Sequence, residues 1–179
     1  MKKNIILRYG LIAGLIVSVL MLTSVNFFSH CDGSVSMGTS MVIGYASMLL
    51  AFSMVFVGIR NYRDKQNNGV ISFGKAFTVG ILITLVASTI YVAAWLIDYY
   101  VFIPDFADKY AAQALADLKA SGASAREIQL QTAEMTDLGK LLKNPLFNAM
   151  MTYMEILPVG LIVTLISALV LKRKTAAQE

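Results

Sequence analysis

The chain has 179 residues, enough for one domain, and 57% of them are hydrophobic while only 15% are charged, against about a quarter in a soluble domain, so the balance points to lipid. The net charge of +4 is not a nucleic-acid footprint, because the basic residues stand in short clusters beside apolar runs, as orientation signals do. One cysteine, Cys31, excludes an internal disulfide, and together with one histidine, His30, it excludes a structural zinc site built of several His and Cys ligands.

A bilayer's hydrocarbon core is roughly 30 Å thick, which about 20 helical residues cross. Four apolar runs meet that length: 5–28, 37–59, 74–103 and 146–171. The first has a basic start, as a secretory signal does. Its apolar run is longer than a signal core and no small-x-small site follows, so we expect it to be retained as an anchor. The short loop 29–36 then carries His30, Cys31 and Asp32, which with Asp98 are the candidates for an outer metal site.

Between the second and third runs lie Arg60, Arg63, Lys65 and Lys75 around a polar Gln66-Asn67-Asn68-Gly69 turn. This basic loop serves as a topology anchor, as a site for anionic lipid headgroups, or as both. Asp64 can pair with Arg60, four residues earlier, if the helix continues.

The third run holds Asp98. Counting outward from Lys75 puts it about 34 Å along the span, near the outer interface and at a depth similar to Glu155. Tyr91 and Trp95 share its side of the helix, and Tyr99 and Tyr100 fit an interfacial aromatic belt.

Residues 104–145 are too long a stretch for plain coil and read as a helical hairpin. Phe106, Tyr110, Ala114 and Leu118 mark a helix over 106–120, with Gly122 as its stop. Ser124 and Glu127 form a capping box for a second helix, whose stripe is Ile128, Met135, Leu138 and Leu142 and which Asn144-Pro145 ends. The hairpin is either a cap that binds a partner or ligand, or a lid on the bundle or membrane surface.

In the fourth run, Glu155 lies about 26 Å from an inner boundary at Lys172. A carboxylate at that depth costs several kcal/mol unless it is paired, hydrated or protonated. Pro158 frees the carbonyl of Met154 within the same turn, and Asn148 lies on roughly the same face two turns away. Either Glu155 and Asp98 line an outward polar cavity for a cation or proton, or Glu155 is protonated or bonded to a neighbouring helix and fixes the bundle, while Asp98 merely sits at the water line.

Small residues recur every fourth position at Gly10-Gly14-Ser18, Ala76-Gly80-Thr84-Ser88 and Gly160-Thr164-Ala168. Such stripes let membrane helices approach closely, in a homo-oligomer or within one bundle.

Ten of the fifteen Lys and Arg residues fall at the N-terminus, in the 60–75 loop and after the fourth run, which four crossings put on one side. The positive-inside rule makes both termini cytoplasmic and the 104–145 hairpin extracytoplasmic. The fold expected is therefore an all-α membrane protein, a four-transmembrane-helix bundle with an extracytoplasmic helical hairpin between helices 3 and 4, in a single domain 1–179.

Two segments, Gly58-Ile59-Arg60-Asn61-Tyr62-Arg63-Asp64 and Ser72-Phe73-Gly74-Lys75-Ala76-Phe77, resemble the signature of a bacterial membrane family known as domain of unknown function 4199. Pro104-Asp105-Phe106, Asn144-Pro145 and Glu155-Ile156-Leu157-Pro158-Val159-Gly160 resemble its later landmarks, in order along nearly the whole chain. The resemblance implies a four-span bacterial membrane protein and no activity; we expect it in the inner membrane, with no cofactor or metal. The residues agree in offering no glycine-rich phosphate loop, His-Glu metal motif or nucleophile elbow. Two functions remain: a structural, accessory or interaction protein of the membrane, whose partner is another membrane protein or a second copy, and a small transporter or cation- or proton-conducting protein using Glu155.

Overall fold

The structure is a computed structural model that describes residues 3–30 and 37–173, with side chains described for 4–26 and 38–173. Cys31, Asp32 and the side chain of His30, and with them the candidate outer metal set, lie outside the described residues. So do Lys2, Lys174 and the side chain of Lys3.

The described residues form helices and no strand. In chain order they are α1 (Lys3–His30), α2 (Met37–Gln66), α3 (Phe73–Ile97) with a π-helical extension (Asp98–Phe102), α4 (Phe106–Ala120), α5 (Ala125–Leu142) and α6 (Pro145–Leu171). Four of these, α1, α2, α3 with its extension, and α6, are long and apolar enough to cross a membrane. Apolar runs of this length choose helix because a helix satisfies every backbone N–H and C=O within itself, where hydrocarbon offers no partner.

The four long helices pack as a bundle. The α2–α3 pair forms its middle, with α1 on one side and α6 on the other. In α1 the split of faces follows the four-residue spacing. Leu7, Leu11, Leu15 and Val19 point outward, 48–59% exposed, while Gly10, Gly14 and Ser18 are buried. A Cβ on Gly10 would stand 2.6 Å from Val86 Cβ, and one on Gly14 2.7 Å from Ile90 Cδ1. Gly80 would likewise meet Thr164 Cγ2 at 2.6 Å, and Gly160 would collide with Thr84 Cγ2. The small-residue stripes thus face the chain's own bundle, where they bring α3 against α1 on one side and α6 on the other. Phe52, Val55, Ile59, Ile83 and Ile156 fill the core around these contacts.

Two helix boundaries differ from the sequence expectation. Helix α2 continues past residue 59 to Gln66, because hydropathy marks where lipid ends and not where hydrogen bonding ends. The polar extension carries the Arg60–Asp64 pair at 3.7 Å. It stops at Asn68 and Gly69, both at positive φ (52° and 78°), which an Asn-Gly pair adopts readily. At the other site, Asn144-Pro145 does not end the second hairpin helix. That helix stops at Leu142, and Asn144 instead caps α6, its Oδ1 accepting from Leu146 N (2.9 Å) and Phe147 N (3.4 Å), with Pro145 in the first turn.

The hairpin α4–α5 has the expected limits and cap. Gly122 turns the chain at φ +81°, and Ser124 and Glu127 exchange the reciprocal bonds of a capping box. No residue of α4 or α5 is fully buried. The stripe Ile128, Met135, Leu138 and Leu142 is half-buried, while Leu130 and Leu141 stay exposed.

Because Gly160 is the tightest of these contacts, Gly160→Leu is expected to force α6 off α3 and α2. Overpacking of this kind costs about 1–3 kcal/mol. Thermal unfolding in detergent should show a lower midpoint than the parent, and an unchanged midpoint would contradict the close approach.

Candidate functional site

The polar groups of the bundle concentrate where α3 meets α6. Thr84 and Thr164 hydroxyls stand 3.0 Å apart in the buried centre, and Thr84 Oγ1 also reaches the Gly160 carbonyl at 3.5 Å. Further out, Tyr153 donates its hydroxyl to Thr89 Oγ1 at 2.9 Å. Nearest the hairpin end of the bundle, Trp95 Nε1 donates to Asn148 Oδ1 at 2.9 Å. The two helices run antiparallel, and these three levels pin their register.

Asn148 is the hub of the level nearest the hairpin. It is 1% exposed, and an amide so buried must have partners. Its Nδ2 donates to Tyr100 OH at 3.4 Å, and Tyr100 donates to the Leu142 carbonyl at 2.7 Å. Thr152 Oγ1 donates to the Asn148 carbonyl at 2.8 Å. Around the node, Trp95 stacks edge-on to Phe106 with centroids 5.0 Å apart, and Tyr99 packs against Trp95, Tyr100 and Phe106. This aromatic cluster joins the first turn of α4 to the bundle.

Asp98 and Glu155 do not come together. Glu155 is two turns further in than Asn148 along α6, and Asp98 is nearly one turn further out than Trp95 along α3. With Trp95 bonded to Asn148, the two carboxylates lie about 15 Å apart along the bundle, so their depths differ. Nor does the Asp98 side chain face solvent. It is 3% exposed, and its Oδ2 is buried with no hydrogen-bond partner among the described residues. It opens the π-helical extension, where Ile103 N donates to the Asp98 carbonyl at 2.9 Å. Glu155 is exposed on the side of α6, bonds no neighbouring helix among the described residues, and does not share the buried face of Asn148. It is within electrostatic reach of Tyr91, which in turn is within reach of Tyr45 on α2. Pro158 is exposed inside α6, which continues through it.

The basic loop is partly spoken for. Arg63 holds Asp64 through two bonds, 2.6 and 3.2 Å, and its Nη1 reaches the Leu171 carbonyl at 3.4 Å, at the negative end of α6. Lys75 Nζ donates to Asn67 Oδ1 at 3.1 Å and lies 5.7 Å from the Tyr62 ring centroid. Arg60 and Lys65 remain exposed. Ile71 and Arg173 exchange two backbone bonds of 2.9 Å, tying the loop to the end of α6. Asn61 Nδ2 donates to Tyr9 OH at 2.8 Å, so α1 starts at this end as well.

Sequence reasoning named Asn148 but not its partners, and it missed the Ile71–Arg173 bridge. The partners of Asn148 stand roughly fifty positions away along the chain. The only local signal is a polar amide inside an apolar run, and the bridge has none.

Trp95 is the chain's one tryptophan, which makes the hub optically visible. Asn148→Leu leaves the indole N–H without its acceptor and the Tyr100 hydroxyl without the Nδ2 donor, a loss of about 1–3 kcal/mol, while Thr152 keeps its bond to the backbone carbonyl of residue 148. The expected result is a lower unfolding midpoint together with shifted tryptophan emission. Unchanged emission would contradict the Trp95–Asn148 bond.

The family described as "Protein of unknown function (DUF4199)" matches this chain over residues 8–173. No curated protein and no solved structure matches it.

Proposed function

The chain belongs to the DUF4199 family of proteins of unknown function, and from that premise we propose a multi-pass protein of the bacterial inner membrane that acts as an accessory or interaction protein. The observation that carries this reading is a contrast in packing. The bundle's cross-section at Phe52, Ile83, Thr84, Gly160 and Thr164 is filled by side chains and backbone in contact. The hairpin, by contrast, has no fully buried residue and keeps an open depression at its tip, lined by Leu118, Glu127, Leu130 and Glu134. A sealed bundle beside a loosely held amphipathic hairpin suits recognition better than conduction.

The proposed orientation has both termini cytoplasmic. It is supported by the convergence of Arg60, Arg63, Lys65, Lys75, Lys172 and Arg173 at the bundle end where Ile71 bridges Arg173. Exposed Arg60 and Lys65 would there meet anionic headgroups. With Cys31 replaced by Ser, a cysteine at Ser121 is expected to react with a membrane-impermeant thiol reagent from outside, and one at Asn67 is not. The reverse pattern overturns the orientation.

The second reading, a small transporter or cation- or proton-conducting protein, has Glu155 in its favour, a carboxylate within an apolar span. Replacement by Gln separates the two. On the accessory reading, Glu155→Gln inserts normally and leaves proton- and cation-driven flux into liposomes at background, while deletion of 111–140 removes partners found by cross-linking in cells. A flux in the parent that Glu155→Gln abolishes would establish transport instead.

A further inference from the structure

Helices α2 and α6 meet closely at Phe52 and Gly160. Phe52 packs on Gly160, where a Cβ would come within 2.9 Å of the ring. One to two turns further out, α2 has no buried residue between Met41 and Ser47, and Met151, Met154 and Glu155 of α6 are exposed. Gly44 lies in register with the inward stripe Met48, Ala51 and Val55, four, seven and eleven residues on. No described atom stands within 4 Å of where its Cβ would be. By contrast Gly10, Gly14, Gly58, Gly80 and Gly160 are all filled by the bundle. Among the described residues, α2 is thus open at Gly44, in a lateral cleft whose other wall carries Glu155 and which lies on the helix that α4 also touches.

A carboxylate in that position needs a donor at the same depth. The Tyr91 phenol is within electrostatic reach, but no hydrogen bond or ion pair joins Glu155 to a described residue. All fifteen Lys and Arg residues fall in 2–8, 60–75, 109–143 and 172–174, none in the outer half of a span, so a second copy of the chain has no cation to offer there. Charge complementarity therefore selects a foreign cation. The wall chemistry selects a helix to carry it, since an open glycine allows close backbone approach and Met151 and Met154 adapt their shape to what packs on them.

We propose that the outer cleft between α2 and α6 receives a transmembrane helix of another protein bearing a lysine or arginine in the outer part of its span, paired with Glu155. This rests on the interaction reading above, but on a surface separate from the hairpin, so loss of the cleft leaves the hairpin's partners as they were.

The test uses the full chain in lipid vesicles and synthetic Leu/Ala transmembrane peptides, with one Lys near the outer end or Leu in its place, and reads association by energy transfer. The Lys peptide is expected to bind about tenfold more tightly than the Leu peptide. Glu155→Leu should bring it to the Leu-peptide level, and Gly44→Leu should abolish binding of both while helix content and unfolding midpoint stay as in the parent. Equal binding of the two peptides, or a preference that survives Glu155→Leu, overturns the proposal. So does a homo-oligomer that Glu155→Leu dissolves, which would assign the cleft to a second copy. Loss of a copurified aminophospholipid on Glu155→Leu without any peptide preference would assign it to lipid and equally overturn the proposal.

Discussion

The contact of α3 with α6 through Gly80, Thr84, Gly160 and Thr164 is the constraint on which the bundle depends. Helices in lipid gain no hydrophobic free energy from meeting each other, because lipid tails are as apolar as leucine. What holds them is dispersion over closely approached backbone and the few polar bonds they share. Small residues at this crossing supply the first, and the Thr84–Thr164 pair supplies the second at 3.0 Å. Once the crossing is set, the antiparallel register brings Tyr153 to Thr89 and Asn148 to Trp95. The aromatic cluster on Trp95 then fixes where α4 leaves the bundle.

The two ends of the bundle are held differently. At the basic end, side chain and backbone both close the structure: Arg63 reaches the last carbonyl of α6, and Ile71 pairs with Arg173. At the opposite end α3 and α6 stay joined through Asn148, while Gly44 of α2 has no described atom packed on it. The hairpin contributes amphipathic packing and no fully buried side chain. Interaction surfaces are drawn from such loosely packed regions, since few buried contacts must be given up to use them.

Much of this architecture was legible in the chain. Span lengths follow from bilayer thickness, and the hairpin's limits follow from Gly122 and from Ser124 with Glu127, which are local signals. The environments of the polar residues were not. A helix that is apolar all round carries no stripe to say which side meets lipid, so residues two turns apart on α6 look equivalent. Asn148 is nonetheless buried at the seam, and Glu155 is exposed beside it. Asp98 looked interfacial by count along the helix, yet its carboxylate is buried at the start of a π-helical turn that no sequence pattern announced. The family match extends over nearly the whole chain without assigning it a reaction, which leaves these placements to carry the functional argument.

The most direct test of the account is a cross-link through the α3–α6 seam. A chain carrying Thr84→Cys, Thr164→Cys and Cys31→Ser should, on mild oxidation in native membranes, form an intramolecular disulfide that shifts monomer mobility. Failure to cross-link, or formation only of dimers, would contradict a bundle built on that contact.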